Sequence, residues 1–284
     1  MKSQNIIFLL LFVGFSLQAQ TTKKVVIIHT NDTHSRIEPL PNNGNPNPNT
    51  AGVVRRATYI DQVRKENKNV LLLDAGDFVQ GTPYFNLFKG EVEIGAMNRM
   101  KYDAGTLGNH EFDYGLDVLA QIVKKANYPI VNCNYDFSNT PLRGLVKPYV
   151  ILKKFGMKIG VLGVGVNPEG LVQSENYKGM VFNPIISSVN KYSEILKNQE
   201  KCDLVICLSH IGFESYGNAA NDQELAKNSK FIDIIIGGHS HTYLEKPVVF
   251  KNVDGKDVLV YQMGKNGSFV GRIDAEMQEV KPSK

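Results

Sequence analysis

Apolar residues come along this chain in short continuous runs, and each run ends in a polar turn. Val25-Val26-Ile27-Ile28 is the first, β-branched throughout, as a strand covered on both faces requires. It delivers the chain to His29-Thr30-Asn31-Asp32-Thr33-His34. Pro39 to Thr50, rich in Pro and Asn, reads as a loop, either a solvated surface segment or the rim of a site. Gly52 to Lys68 instead alternates apolar and charged positions at helical spacing. Val70 to Leu73 repeats the buried-strand pattern and ends in Asp74-Ala75-Gly76-Asp77.

The pattern continues to the end of the chain. Helices are predicted over Glu91 to Met100, Gly115 to Ala126, Asn183 to Glu200 (opened by Pro184) and Gln223 to Lys227. Strands are predicted over Ala104 to Leu107, Pro129 to Asn132, Leu204 to Leu208 and Ile232 to Ile236. Tyr149 to Leu152 and Lys158 to Val164, joined through Phe155-Gly156-Met157, predict a hairpin. Val248 to Phe250 and Val258 to Gln262 flank an Asp254-Gly255 turn and predict an antiparallel pair, and Phe269 to Ile273 a closing strand. Strands alternating with helices argue an α/β layered fold with one core. No internal repeat is visible.

Composition narrows the class. The chain has 284 residues, 42% hydrophobic and 21% charged, which is enough for a packed core and excludes disorder. A net charge of +4 without a long basic run argues against a nucleic-acid partner. Met1 to Gln20 reads as a secretory signal: Lys2 supplies the positive region, Ile6 to Val13 the apolar stretch and Ala19 the small residue near the cleavage point. That stretch is too short to span a bilayer, so no membrane anchor is expected, and no cysteine follows it to carry a lipid. The mature protein is therefore expected to be exported, to the periplasm or the cell exterior. Three cysteines, Cys133, Cys202 and Cys207, make no disulfide framework or paired zinc spacing, and Cys133 and Cys207 fit as buried small hydrophobes.

The six histidines carry the chemistry. His29, His34, His110, His210, His239 and His241 all lie at or just beyond the end of a predicted strand, where α/β sheets carry ligands. A lone histidine of this kind is more often a core or surface residue. Several at strand exits, with Asp32, Asp77 and Asn109 in equivalent places, are hard to explain as packing. Their convergence gives a set of nitrogen and oxygen donors suited to zinc, manganese or iron. Asp32 and His34 are two apart, as are His239 and His241, so an extended backbone would point each pair one way. Asp77, leaving its strand on Gly76, has two carboxylate oxygens with which to bridge two cations. Two divalent ions roughly 3.5–4 Å apart form a clamp for in-line displacement at phosphorus, with a metal-bound hydroxide as nucleophile. His110 would then be free to meet charge developing on the phosphoryl group or leaving oxygen, with Asp113 fixing its tautomer and keeping it cationic.

Asp32-x-His34, Gly76-Asp77, Gly108-Asn109-His110-Glu111, Ser209-His210 and Gly237-Gly238-His239-x-His241 together resemble the ordered motifs of the calcineurin-like metallophosphoesterases. The fuller forms His29 to His34 and Gly108 to Gly115 resemble the secreted 5′-nucleotidase branch. The likeness runs from about residue 24 to 275. It implies a β-sandwich of two mixed sheets flanked by helices, four layers deep. It also implies Asp32, His34 and His241 at one metal, Asn109, His210 and His239 at the other, and Asp77 between them. His110 and Asp113 match the family's pair that assists phosphoryl transfer, whereas His29 matches the motif without being a ligand.

The expected organisation is a signal peptide over 1–20, a catalytic domain over 21–275 and a tail or truncated linker over 276–284. Secreted 5′-nucleotidases usually continue into a C-terminal domain that stacks the base, and the sequence stops at Lys284, where that linker would begin. Hydrolysis of a phosphate ester, most naturally a nucleotide, therefore follows more firmly than base specificity. A separate polypeptide carrying the second domain, or a broader and weaker phosphatase, is expected. The alternatives are a related enzyme for a cyclic nucleotide, sugar phosphate or phosphodiester, and a non-catalytic binding module. Loss of ligands would mark the last of these, and every candidate ligand is present.

Overall fold

The computed structural model describes residues 22–214 and 220–278. The expected signal segment and the residues beyond 278 lie outside them. The first half of the chain forms β1 (Thr22–Thr30), α1 (Val53–Glu66), β2 (Val70–Asp74), α2 (Pro83–Phe88), α3 (Glu91–Met100), β3 (Ala104–Gly105), α4 (Gly115–Lys125) and β4 (Tyr135–Asp136). Then follow β5 (Tyr149–Lys154), β6 (Met157–Gly165), β7 (Val181–Phe182), α5 (Ile185–Glu194) and β8 (Leu204–His210). The last elements are α6 (Asp222–Asn228), β9 (Ile234–Ile236), β10 (Val248–Lys251), β11 (Asp257–Tyr261) and β12 (Gly271–Gln278).

Two mixed sheets result. The first is four-stranded, in the order β12-β1-β2-β3, parallel except for β12. The second is six-stranded, β10-β11-β9-β8-β6-β5, with a parallel centre and antiparallel edges. A small antiparallel ribbon pairs β4 with β7.

The continuous apolar runs are explained by what lies on each face. Val25 and Ile27 join Leu71 and Leu73 in the core between the sheets, against Ile206, Leu208, Ile234 and Ile236 of the second sheet. Val26 and Ile28 point the other way, onto Ile60 and Val63 of α1 and Ile94 and Met97 of α3. On the far side Val205, Cys207 and Ile235 pack on Ile185 and Val189 of α5 and Leu225 of α6. Period-two alternation with apolar partners on both sides leaves no polar position to write. The layers are thus helix, sheet, sheet, helix. The three cysteines are buried and unpaired, as small hydrophobes.

Several predicted elements shift. Pro129 to Asn132 makes only isolated bridges, Gly105 with Ile130 and Val131 with Lys147. Its backbone changes partners: Val131 N–H donates to Gly105 and Asn132 N–H to Lys147, while Cys133 N–H just beyond it donates to Gly163 of the second sheet, so no single ladder forms. Gly163 has to be glycine there, because a Cβ would overlap the Val131 carbonyl and the Thr106 hydroxyl. The helix predicted to Glu200 stays α-helical only to Glu194 and widens into a π-helical stretch, Ile195–Gln199. The closing strand, predicted over Phe269 to Ile273, begins at Gly271 and runs to Gln278, pairing along β1 from His29 to Thr22. Helix α2, opened by Pro83, has no counterpart among the predicted elements. Among the described residues no helix is long and apolar enough to cross a membrane.

His29 marks the point where β12 meets β1. It faces the inter-sheet core, edge-on to Tyr261 at 5.8 Å between ring centroids, with neither ring nitrogen partnered. Burial drives its pKa down to about 3, so it stays neutral. Opposite it stands Gly271, where a Cβ would overlap the imidazole. Gly271→Ala is expected to lower the unfolding free energy by about 1–3 kcal/mol in urea titrations. Combined with His29→Ala, the loss should be smaller than the sum of the two single losses; simple additivity would refute the contact.

Candidate metal centre

The parallel strands of both sheets end on the same side, and the turns that follow them meet there. The turn after β1 is zipped to the turn after β2: Asp32 N–H donates to Gly76, His34 N–H to Asp77 and Ser35 N–H to Phe78, at 2.9, 3.0 and 2.9 Å. The extended backbone expected for the Asp32/His34 and His239/His241 pairs is not what points them. Asp32, His34, His239 and His241 all have positive φ, at 48°, 46°, 73° and 55°, and Asp77 joins them at 53°. Left-handed backbone at non-glycine residues costs on the order of 1–3 kcal/mol each and persists only where the surroundings hold it. Here the interlocked turns hold it, and the side chains are aimed by curvature.

Glu111 supplies the second tie. Its carboxylate accepts the N–H groups of Gly108, Asp77 and Phe78 at 2.5, 3.0 and 3.0 Å, joining the turn after β3 to the turn after β2. The two glycines in these turns leave no room for a side chain. A Cβ on Gly108 would collide with Asp77 and lie 2.7 Å from His210 Nε2, and one on Gly76 would lie 2.6 Å from the Gly108 nitrogen. Asn31 anchors the other flank, donating to the Asp32 carboxylate at 2.7 Å and the Gly264 carbonyl at 2.8 Å.

All of the expected ligand residues converge. Asp32, His34 and His241 form one cluster and Asp32, Asp77 and His210 another, the donor atoms of each lying within 4.8 Å of one another. His241 Nε2 is 3.4 Å from Asp32 Oδ1 and 3.0 Å from His34 Nε2. His210 Nε2 is 3.1 Å from Asp77 Oδ2 and 3.9 Å from Asp32 Oδ1. Asn109 Oδ1 and His239 Nδ1 meet at 2.9 Å, and the His239 ring lies 5.4 Å from that of His210. Asp32 is common to both clusters, and Asp77, which the resemblance puts between the two metals, stands beside His210 while its charge also acts on His34.

The donors suit cations. His210 Nδ1 sits 2.7 Å from the Ala75 carbonyl, which fixes the tautomer and turns Nε2 to the centre, where it is buried without a hydrogen-bond partner. His34 and His241 bring two imidazole nitrogens face to face, an arrangement a shared cation satisfies. Burial opposes charge on His34, Asp77, His210 and His239. For His210 the Asp77 and Asp32 carboxylates overcome it and raise the pKa to about 10, while for His239 burial and the His210 charge lower it to about 4. Burial likewise opposes ionisation of Asp77, yet His210 holds its carboxyl well below the usual range. Imidazole, carboxylate and amide oxygen without thiolate match zinc, manganese or iron.

His110 and Asp113 stand at the rim, with side chains about one-third exposed. The 3₁₀ turn His110–Phe112 explains their meeting, since residues three apart eclipse in that geometry. His110 Nδ1 and Asp113 Oδ2 are 3.0 Å apart, and the His110 ring lies 5.6 Å from that of His34. Burial lowers the His110 pKa, but the Asp113 hydrogen bond and the Asp77 charge outweigh it and raise it overall. The positioning residues Glu111 and Asn31 are not singled out by sequence reasoning, although both sit inside the motifs that carry it.

Residues 25–243 match the family model described as calcineurin-like phosphoesterase. The trifunctional nucleotide phosphoesterase protein YfkN of Bacillus subtilis is 34% identical over 287 residues, covering 90% of this chain and 18% of that protein. The 5′-nucleotidase of Bos taurus is 33% identical over 277 residues, covering 90% of this chain and 47% of its own. Among solved structures, the 5′-nucleotidase precursor from Thermus thermophilus superposes with a TM-score of 0.79 at 33% identity, over 90% of this chain and 54% of that one. The chain spans about half the length of these nucleotidases, or less of the longer relative.

Because Asp32 belongs to both clusters, Asp32→Ala is expected to empty the whole centre when metal content is measured on the dialysed protein. His34→Ala, confined to one cluster, should leave one equivalent behind. Retention of one equivalent by Asp32→Ala would contradict the shared role.

Proposed function

The chain belongs to the calcineurin-like phosphoesterase family, and from that premise we propose that it is a dimetal hydrolase of phosphate esters of the 5′-nucleotidase type, acting after export to the periplasm or the cell exterior. The convergence of buried carboxylates and imidazoles at the ends of both sheets, with His110–Asp113 at their rim, is the observation that carries this reading. Relatives named 5′-nucleotidase and nucleotide phosphoesterase have nucleotide phosphate esters in common, which supports a nucleotide as substrate.

In this proposal Asp32, His34 and His241 hold one divalent ion and Asn109, His210 and His239 the other, with the carboxylates of Asp32 and Asp77 lying between. Bound cations supply Lewis acidity toward the phosphoryl oxygens and make water a competent nucleophile at neutral pH. The protein's own groups do the rest. The strained turns keep the donors in place before substrate arrives, so no reorganisation is required at the moment of reaction. His110 presents Nε2 from the rim while Asp113 engages Nδ1, which favours the protonated ring. That proton faces the charge that grows on the phosphoryl group or its leaving oxygen. Asp113 acts through His110 and is a positioning residue.

The test is kcat/KM of the metal-reconstituted protein on 5′-AMP and on p-nitrophenyl phosphate, for the native chain and for His110→Ala. Hydrolysis of 5′-AMP is expected. His110→Ala should lose about 10²-fold or more in kcat with both metals retained. Failure of the native protein to hydrolyse any phosphate ester with two metals bound would overturn the proposal, and loss of metal from His110→Ala would overturn the division of roles.

A further inference from the structure

A large cavity among the described residues opens beside His239 of the candidate metal centre. It has a volume of about 1240 Å³ and lies between the loop that follows β6 and the start of α5, with His239 and Ser240 in its wall. Its floor and sides are apolar: Leu171, Phe182, Ile185, Ile186 and Ile211. Leu171 is 53% exposed, and Phe182 and Ile186 are only half-buried, so a contiguous apolar surface faces water directly beside a cluster of charged donors. Apolar surface of this extent next to convergent polar groups is the ordinary signature of a ligand subsite.

The charges on the cavity define what enters it. Among the described lining residues there is no lysine or arginine, while Glu169 and Glu214 stand at its edge and Asn167, Asn190 and Ser240 offer neutral hydrogen-bonding groups. A phosphate would be repelled by the two carboxylates and attracted to cations at the neighbouring centre. The part of a substrate that suits the cavity is uncharged and apolar, and gains from carrying hydrogen-bond donors toward Glu169 and Glu214.

We propose that this cleft holds the leaving group of the ester, so that the chain itself selects phosphate monoesters of apolar, uncharged alcohols, a nucleoside with its base in the cleft being the fitting case. The inference rests on the phosphoesterase reading above and adds a specificity site made of Leu171, Phe182, Ile185 and Ile186, with Glu169 and Glu214 excluding anionic leaving groups. Binding there orients the ester across the His239 side of the centre. The burial of an unsubstituted ring against these side chains contributes to binding without touching the reacting atoms.

The experiment compares 5′-AMP with ribose 5-phosphate, which has the same phosphate and pentose without the base, on the metal-reconstituted full chain. Leu171→Ser and Ile186→Ser are expected to lower the ratio of kcat/KM for 5′-AMP to that for ribose 5-phosphate by about tenfold, mainly through KM for 5′-AMP. An unchanged ratio, including a parallel loss on both substrates, would overturn the cleft as the leaving-group site while leaving the phosphoesterase reading intact. Absence of turnover on both substrates in the native protein would overturn that reading and this inference with it. Because Leu171 and Glu169 are exposed, their replacement leaves the core untouched. Glu169→Lys gives the second readout: it should raise kcat/KM for 4-carboxyphenyl phosphate severalfold relative to p-nitrophenyl phosphate. No change in that relative rate would remove the charge-exclusion role.

Discussion

Backbone N–H groups from two separate turns point at one buried carboxylate, that of Glu111, and the arrangement of the site depends on it. Gly108 approaches from the turn after β3, and Asp77 and Phe78 from the turn after β2. Removing the partner of a buried backbone N–H typically costs about 1–3 kcal/mol for each donor left unsatisfied, and burial with the Asp77 charge beside it pushes the Glu111 carboxyl up to about 8. What Glu111 holds is also what orients the donors. Asp77 reaches His210 on one side and accepts the His110 N–H on the other, so the rim pair and the inner cluster share a single anchor. The turn after β1 is then locked to this assembly through the backbone bonds of Asp32, His34 and Ser35.

The same compactness accounts for the glycines. Gly76, Gly108 and Gly238 each lie where a Cβ would press on His210 or on a carboxylate of the site. These are contact requirements, and at Gly76 a positive φ adds to them. The centre is therefore built from side chains that fill the space glycines vacate. This explains why so many donors fit on turns only a few residues long.

Much of this is legible in the chain and some is not, for identifiable reasons. The buried strands can be read from Val25–Ile28, Val70–Leu73 and Leu204–Leu208 because both faces of each strand meet apolar partners. The convergence of His34, His110, His210, His239 and His241 can be read because parallel strands end together and the runs Val25–Ile28, Ala104–Leu107, Leu204–Leu208 and Ile232–Ile236 each lead within a few residues to a histidine. The backbone of the Asp32/His34 and His239/His241 pairs is misjudged, since two-residue spacing suggests extended chain whereas tertiary hydrogen bonds impose left-handed turns that bring the same side chains to the centre. Asp32 as the common member of both clusters is a distance relation across β1, β2 and β8, which no local pattern encodes. Pro129–Asn132 looks like a strand because it is largely apolar and extended, yet its bonding partners are Gly105 of the first sheet and Lys147, which lies in neither sheet. The cleft beside His239 is invisible for the same reason: Leu171, Ile186 and Ile211 come from separate segments, and each alone reads as core.

The pairing of β12 with β1 has a kinetic consequence. The first strand and the last described strand lie side by side along nearly their whole length, so the first sheet cannot be completed until the ribosome has delivered Gln278. Contacts of such high sequence separation require loop closure over almost the entire chain before they return any stability, which places this fold among the slower ones. Until then β1 has an open edge, and the turn that carries Asp32 and His34 lacks both the bond from Asn266 N–H to the Asp32 carbonyl and the contact between Asn31 and Gly264. The turn that carries Asp32 and His34 thus waits on residues made 233 positions later. During synthesis the nascent polypeptide carries the donors long before it has the geometry to use them.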